Sequence, residues 1–237
     1  MTQAVDLANA INGFVVGCKQ DGIWDAIKAC CIMAAWDGLD GALYPLKGAA
    51  PKPYNFVFGD YDREDGLVGD AFSKYLDTKR PGNEDPETDF HGAVFSTSPG
   101  LVSKVFMGSQ TAGTPVSISN IQLSWQPSNQ FLFRTRCLNI NDIRSGATGT
   151  GFIGVSRSSN TVHNPRFNGV TYTTSMNSTA PGAQNYFVFA NAYLDAPSGY
   201  SSARLAFYSI GRSLDLAKFD ARVTDLITAF QAPGVIP

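Results

Sequence analysis

The sequence predicts an antiparallel β-sandwich with two sheets, preceded by two short helices and followed by one. Ten apolar runs of strand length alternate with turn residues between Asn55 and Ile210, and no helical period interrupts them. Asn168-Gly169 lies between Arg166-Phe167 and Val170-Thr171-Tyr172, the strongest hairpin signal in the chain, because a type I′ turn needs positive φ at both central residues. Charged residues make up only 16% of the chain while glycine and proline number 23 and 13, a balance that favours many short strands joined by turns.

Taken in order, Ala4, Leu7, Ala8, Ile11, Phe14, Val15 and Cys18 repeat at helical spacing. Gln20-Asp21-Gly22 interrupts the pattern, and Ile23, Ile27, Cys30, Cys31 and Ala34 resume it as a second short helix. Asp37-Gly38, Asp40-Gly41, Pro45, Pro51 and Pro53 make an extended connection. Residues 1–54 are therefore expected to form a helical segment with a proline-rich connection, and residues 55–237 the sandwich. The strand runs are 55–58, 74–78, 91–97, 104–108, 116–125, 130–137, 151–156, 167–174, 186–190 and 203–210. Val116 and Ile118 share one parity and Ile121, Leu123 and Trp125 the other, so an extra residue is expected as a bulge or tight turn at Ser119-Asn120. Leu216, Phe219, Val223, Leu226, Ile227 and Phe230 fall on one helical face over about 214–231, with Ser213 or Asp215 as cap and Pro233-Gly234 as stop.

A length of 237 residues suits one sizeable core. Net charge is −2, and no run of Lys and Arg forms the counterion-releasing patch that nucleic-acid binding needs; Arg134 and Arg136 merely alternate along one strand. The best apolar stretch, Ile23 to Trp36, carries Asp25 and Lys28 and is too short to span a bilayer. Neither nucleic acid nor membrane is an expected partner. Met1 to Val16 holds no Lys or Arg, so no secretory signal is expected. Cys18, Cys30, Cys31 and Cys137 lack the spacing of a zinc site and read as buried free thiols.

Gly149-Thr150-Gly151-Phe152-Ile153-Gly154 matches a dinucleotide fingerprint literally, but polar residues follow it where a helix should begin, so it reads as a turn entering a packed strand. Asp60, Asp62, Glu64 and Asp65 gather as a loose Ca²⁺ loop would, with Asp70 nearby, yet Ala71 stands where an EF-hand needs a bidentate Glu. Glu84, Asp85, Glu87, Asp89 and His91 form a second acidic group in a proline-marked surface loop. The three glutamates, Glu64, Glu84 and Glu87, all precede the main strands, so the facing carboxylates of a glycosidase are missing. His91 and His163 have no Ser–Asp constellation legible around them. Asn177-Ser178-Thr179 is a formal glycosylation sequon in a polar loop. No catalytic, cofactor or metal residue is assigned, no cofactor is expected, and the chain reads as non-enzymatic.

Gly66-Leu67-Val68-Gly69-Asp70, Lys74 to Thr78, His91 to Thr97, Phe152 to Ser156, the Asn168-Gly169 hairpin, Tyr186 to Ala190 and Arg204 to Leu214 together resemble the laminin-G-like, or concanavalin-like, jelly roll over residues 55–230. The block Ile11 to Val15 through Gly22 to Ala29 resembles a module that precedes such jelly rolls in virion proteins of tailed bacteriophages. The resemblance implies a virion structural protein, assembled in the host cytoplasm, that decorates or cements the capsid. Its implied partners are the major capsid protein or tail subunits and further copies of itself, and the amphipathic N-terminal helices are expected to dock on such a neighbour. Many jelly rolls bind glycans, some with Ca²⁺, which makes a lectin-like module of a tail or fibre the second expectation. Trp125, Tyr172, Tyr193 and Tyr200 are then the candidates to stack on a sugar ring.

Overall fold

The computed structural model describes residues 2–100, 104–111, 116–124, 129–194 and 196–232. The chain runs α1 (Thr2–Gln20), β1 (Ile27–Ile32), α2 (Leu39–Ala42), β2 (Pro45–Lys47), β3 (Lys52–Tyr54), β4 (Tyr61–Asp62), β5 (Gly66–Val68), β6 (Tyr75–Pro81), β7 (Phe90–Ser98), β8 (Val105–Gln110), β9 (Ile118–Ser124) and β10 (Gln130–Cys137). It continues through β11 (Asp142–Ser145), β12 (Gly151–Arg157), β13 (Val162–Phe167), β14 (Val170–Thr171), β15 (Thr174–Ser175), β16 (Asn185–Val188), β17 (Asn191–Tyr193), β18 (Ala196–Ser198), β19 (Arg204–Gly211) and α3 (Leu216–Phe230).

Two sheets pack as the expected sandwich. Sheet A follows the order β14-β13-β12-β7-β19-β1-β2, and sheet B the order β11-β10-β9-β8-β16-β6-β3. Pairing is antiparallel except where β17 lies parallel to β8. Phe90, Val94, Ile153, Leu205 and Tyr208 from sheet A meet Leu76, Phe106, Phe131, Phe133 and Val188 from sheet B in the core between them.

The outer face of sheet A is buried under helices. Phe207, Ala206, Phe152 and Ala93 of that face pack against Phe14 and Cys18 of α1 and Phe219, Val223 and Phe230 of α3. Asp215 caps α3, its carboxylate accepting from the backbone N–H groups of Ala217 and Lys218. An Arg222–Asp21 ion pair at 2.7 Å ties α3 to the end of α1. Phe14 and Cys18 of the α1 stripe are thus buried within the chain, and Leu7, Ile11 and Val15 are half-buried against the same cluster. Among the described residues no helix is long and apolar enough to cross a membrane.

The second N-terminal helix expected over Ile23 to Ala34 is instead strand β1, between β19 and β2. Cys31 and Met33 enter the inter-sheet core while Cys30, Ile32 and Ala34 face the helices. Burial on both faces removes the polar alternation that marks a strand. The first 54 residues therefore supply β1 and β2 to sheet A and β3 to sheet B, beyond the helical segment and connection expected there. Residues 55–58 form no strand; a 3-10 turn covers Phe58–Asp60. The Asn168-Gly169 hairpin forms as expected, with φ of 49° and 73° and Phe167 paired to Val170. Gly149 and Gly151, at φ 76° and 85°, make the turn into β12.

The bulge sits elsewhere than expected. β9 runs unbroken through Ser119-Asn120, and the extra residues lie on its partners, between Val105 and Met107 of β8 and between Arg134 and Cys137 of β10. The β10 bulge puts Arg136 at φ 47° and re-aims it. Arg136 turns inside the sandwich, over the Phe90 ring at 4.7 Å, although Arg134 two residues earlier shares the outward parity of Leu132.

Candidate functional site

With sheet A covered, the outer face of sheet B is the face of the sandwich left without a helical layer. Its residues follow from strand alternation. On β6, Leu76 points inward, so Tyr75 and Asp77 point outward, and Lys79, at φ 59° where β6 bulges, returns its Nζ to Asp77. On β16, Tyr186 and Val188 are core and Phe187 faces out, opposite Asp77 on one side and Gly108 on the other.

Aromatic rings converge on Tyr75. Tyr54, its partner on edge strand β3, stacks parallel to it at 4.4 Å, Phe187 tilts against it at 4.8 Å, and Tyr200 meets it edge-on at 6.3 Å. Burial, and then the neighbouring Tyr54, pushes the Tyr75 phenol up to about 12, so its hydroxyl stays a hydrogen-bond donor. Lys52 places its ammonium 4.7 Å from the Tyr54 ring. Asp77 lies beside the rings and accepts from Lys79 Nζ at 2.7 Å and Asn185 Nδ2 at 2.9 Å.

Towards β10 the same face becomes polar. Arg134 pairs across the strands with Asn120, Asn120 with Gly108, and Gly108 with Asn191. A Cβ at Gly108 would lie 2.4 Å from Asn191 Oδ1 and 2.8 Å from Asn120 Cβ, so glycine is what lets the two amides lean together. Asn120 and Asn191 are only 5% and 6% exposed, and the Oδ1 of each has no hydrogen-bond donor.

Of the aromatics picked from sequence, Tyr200 joins this platform. Tyr172 does not: it stacks on Phe167 at 5.3 Å under the Arg144 guanidinium. Tyr193 is 43% exposed on β17, and Trp125 lies outside the described residues. Tyr54, Tyr75 and Asp77 were missed, although Tyr75-Leu76-Asp77 alternates in a way that places an aromatic and a polar group on one face.

The acidic clusters serve the fold. Asp60 accepts from Val57 N and Lys74 Nζ, and Asp62 from the N–H groups of Glu64 and Asp65. Burial would raise Asp70, but the N–H groups of Ser73, Lys74 and Phe72 and the Ser73 hydroxyl hold its carboxyl well below the usual range. Glu84 and Asp85 pair with Arg80, Glu87 accepts from Ser178, and Asp89 accepts from Ser213. Arg136 donates to the carbonyls of Gly82, Asp85 and Pro86, which fixes the second acidic loop from beneath. Among the described residues no three His, Cys, Asp or Glu side chains are placed to hold a metal ion.

His163 does have a constellation, one invisible in the sequence. Its Nδ1 meets Thr135 Oγ1 at 3.0 Å and its Nε2 meets Asp142 Oδ2 at 3.1 Å, the order of a nucleophile, base and acid. Thr135 and His163 are fully buried and Asp142 is 5% exposed, so no substrate reaches the hydroxyl. The trio pins β10, β11 and β13 together. His91 is likewise buried, its ring held by Ser209 and the Arg212 carbonyl and its pKa lowered to about 4 by burial.

No protein-family model matches the sequence, and no curated protein matches it. Solved structures do share its architecture. A mutant of Trypanosoma rangeli sialidase displaying trans-sialidase activity aligns with 97% of this chain at 9% identity and a TM-score of 0.50. Domain 4 of a GH43 extracellular arabinanase from Geobacillus stearothermophilus, in complex with arabinotriose, aligns with 85% of this chain and 98% of its own at 14% identity and a TM-score of 0.43. The enzymatically active domain of bacteriophage CBA120 tailspike protein 2 aligns with 74% of this chain at 12% identity and a TM-score of 0.43. The chain spans 38% of that sialidase and 29% of that tailspike. At these identities the likeness concerns the fold alone.

Proposed function

We propose that this chain is a non-catalytic glycan-binding module that lays a saccharide across the outer face of sheet B. The observation that carries the reading is the cluster of Tyr54, Tyr75 and Tyr200 beside Asp77 and Asn185 on the face no helix covers. Aromatic rings take the apolar faces of sugar rings, and planar amides and carboxylates take their hydroxyls. Among the described residues the strands of sheet B carry two carboxylates, Asp77 on the platform and Asp142 inside the Thr135–His163 trio, and these two do not form the facing pair that glycoside hydrolysis requires. Following the sequence resemblance, we place the module in a phage tail or fibre, where it holds a host-surface saccharide.

Calorimetric titration with saccharides chosen from a glycan array tests this. Tyr75→Ala and Tyr200→Ala should each weaken binding by about tenfold or more. Tyr172→Ala, in the turn after β14 and away from the platform, should leave it unchanged. Absence of binding across a broad array of host polysaccharides, or equal affinity in all three variants, would overturn the assignment.

A further inference from the structure

We propose that Arg134 is an oxyanion-recognising group and that the saccharide held on sheet B is acidic, carrying a carboxylate or a sulfate; this deepens the glycan-binding reading and rests on it.

Arg134 is conspicuous for what it lacks. Arg80, Arg144, Arg166 and Arg222 sit on carboxylates. Arg136 and Arg157 donate to backbone carbonyls. Arg134 is half-buried on the outer face, its Nε is shielded from water, and among the described residues neither a carboxylate nor a carbonyl accepts from it. Arg63 is the other arginine in that condition, but it lies in the β4–β5 turn away from this face. A shielded guanidinium N–H without an acceptor is costly, while the terminal nitrogens of the half-buried side chain stay open to a ligand. Its planar fork of donors fits a carboxylate or sulfate in two parallel hydrogen bonds, which a lysine could not reproduce. Burial disfavours its charged form and lowers the Arg134 pKa.

A row of paired positions runs across the strands of sheet B from Arg134. Next across the strands come Asn120 and Asn191, whose buried side-chain oxygens bring no positive charge to this end of the face. Arg134 is therefore the group to which the ligand's acid group is directed. By strand register the stripe continues from Gly108 to Phe187 and Asp77, four inter-strand spacings or about 19 Å from Arg134. A ligand touching both Arg134 and the tyrosines is consequently an oligosaccharide of several units.

Two measurements on the full chain decide the matter. In the first, oligosaccharides bearing a uronate, a sialate or a sulfate are titrated beside their neutral counterparts, with wild type and Arg134→Gln. The acidic member of a pair should bind about tenfold or more tightly, and Arg134→Gln should erase that preference while leaving neutral binding in place. Whichever acid group shows the preference identifies the source of the oxyanion. In the second, the Arg134 Nε–H resonance of wild type is followed by NMR during titration with sodium sulfate and with sodium chloride at matched ionic strength. A saturable shift with sulfate alone supports the anion site even if no saccharide binds, an outcome that removes the glycan reading. Saccharide binding without an acidic preference, or a preference that survives Arg134→Gln, overturns the anion proposal and leaves the glycan reading standing. Silence in both titrations overturns the two together.

Discussion

Asp142 is a buried carboxylate that accepts from the side chains of His163, Arg144 and Thr174. Burial alone would raise its pKa, but hydrogen bonds from His163, Arg144 and Thr174 outweigh it and hold the carboxyl at about 2, below its ordinary 3.8. A carboxyl whose pKa is depressed on folding binds its proton more weakly in the folded chain than in the unfolded one. Its contribution is therefore complete above about pH 4 and drains away as pH falls towards 2. Asp142→Asn should lower stability at pH 7 by an amount on the order of 1 kcal/mol, allowing for solvent screening, and should flatten the loss of stability between pH 5 and pH 2. Urea denaturation at several pH values measures this, and parallel pH profiles for the two proteins would discount the trio as a stabilising unit. None of it was legible in the sequence, because Thr135, Asp142 and His163 come from three strands and meet only through register. Arg134 and Arg136 teach the same lesson, since equal parity in the sequence becomes opposite faces once a bulge intervenes.

Elements were read well where a turn or a one-sided apolar pattern marked them. The Asn168-Gly169 hairpin and α3 follow directly from local chemistry, and the run 130–137 matches β10. The platform was half legible: Tyr200 was named, but Tyr54 and Tyr75 need the pairing of β3 with β6, which two prolines and a short strand conceal. β1 was misread because Cys30 and Cys31 face two different cores. That dual role sets an expected outcome for truncation. Removing residues 1–20 deletes Phe14 and Cys18 from the helical layer and should cost at least the ~3–5 kcal/mol of a large buried aromatic, while leaving a cooperative β-rich fold. Removing residues 1–36 also takes out β1, strips β19 of a neighbour and detaches β2, and should leave no soluble folded protein. Circular dichroism and thermal melts of both truncations separate the two cases. A native-like melt from the longer truncation would show that β1 is dispensable to sheet A.

At the scale of the molecule, sheet A carries one core on each face. Adjacent residues of β1 enter opposite cores, and so do Ala206 and Leu205 of β19 and Phe152 and Ile153 of β12. Neither core can loosen without disturbing the strands that form the other, so helices and sandwich are expected to unfold as a single unit. The cysteines report on this from within. Cys18 and Cys30 belong to the helix-side core and Cys31 to the inter-sheet core, while Cys137 ends β10 in sheet B; all four are free and buried. Burial pushes the Cys18 and Cys30 thiols up to about 12 and raises Cys31 and Cys137 as well. The reactive thiolate is thus suppressed in the folded chain and returns to its ordinary level on unfolding. Pulsed alkylation at pH 8 across a urea series, read by mass spectrometry of peptides, should find the four cysteines unreactive in water and labelled together with one midpoint. If Cys18 and Cys30 were labelled at lower urea than Cys137, the helical layer would be a separate unit peeling from a surviving sandwich, and a shared sheet would not suffice to couple the two cores.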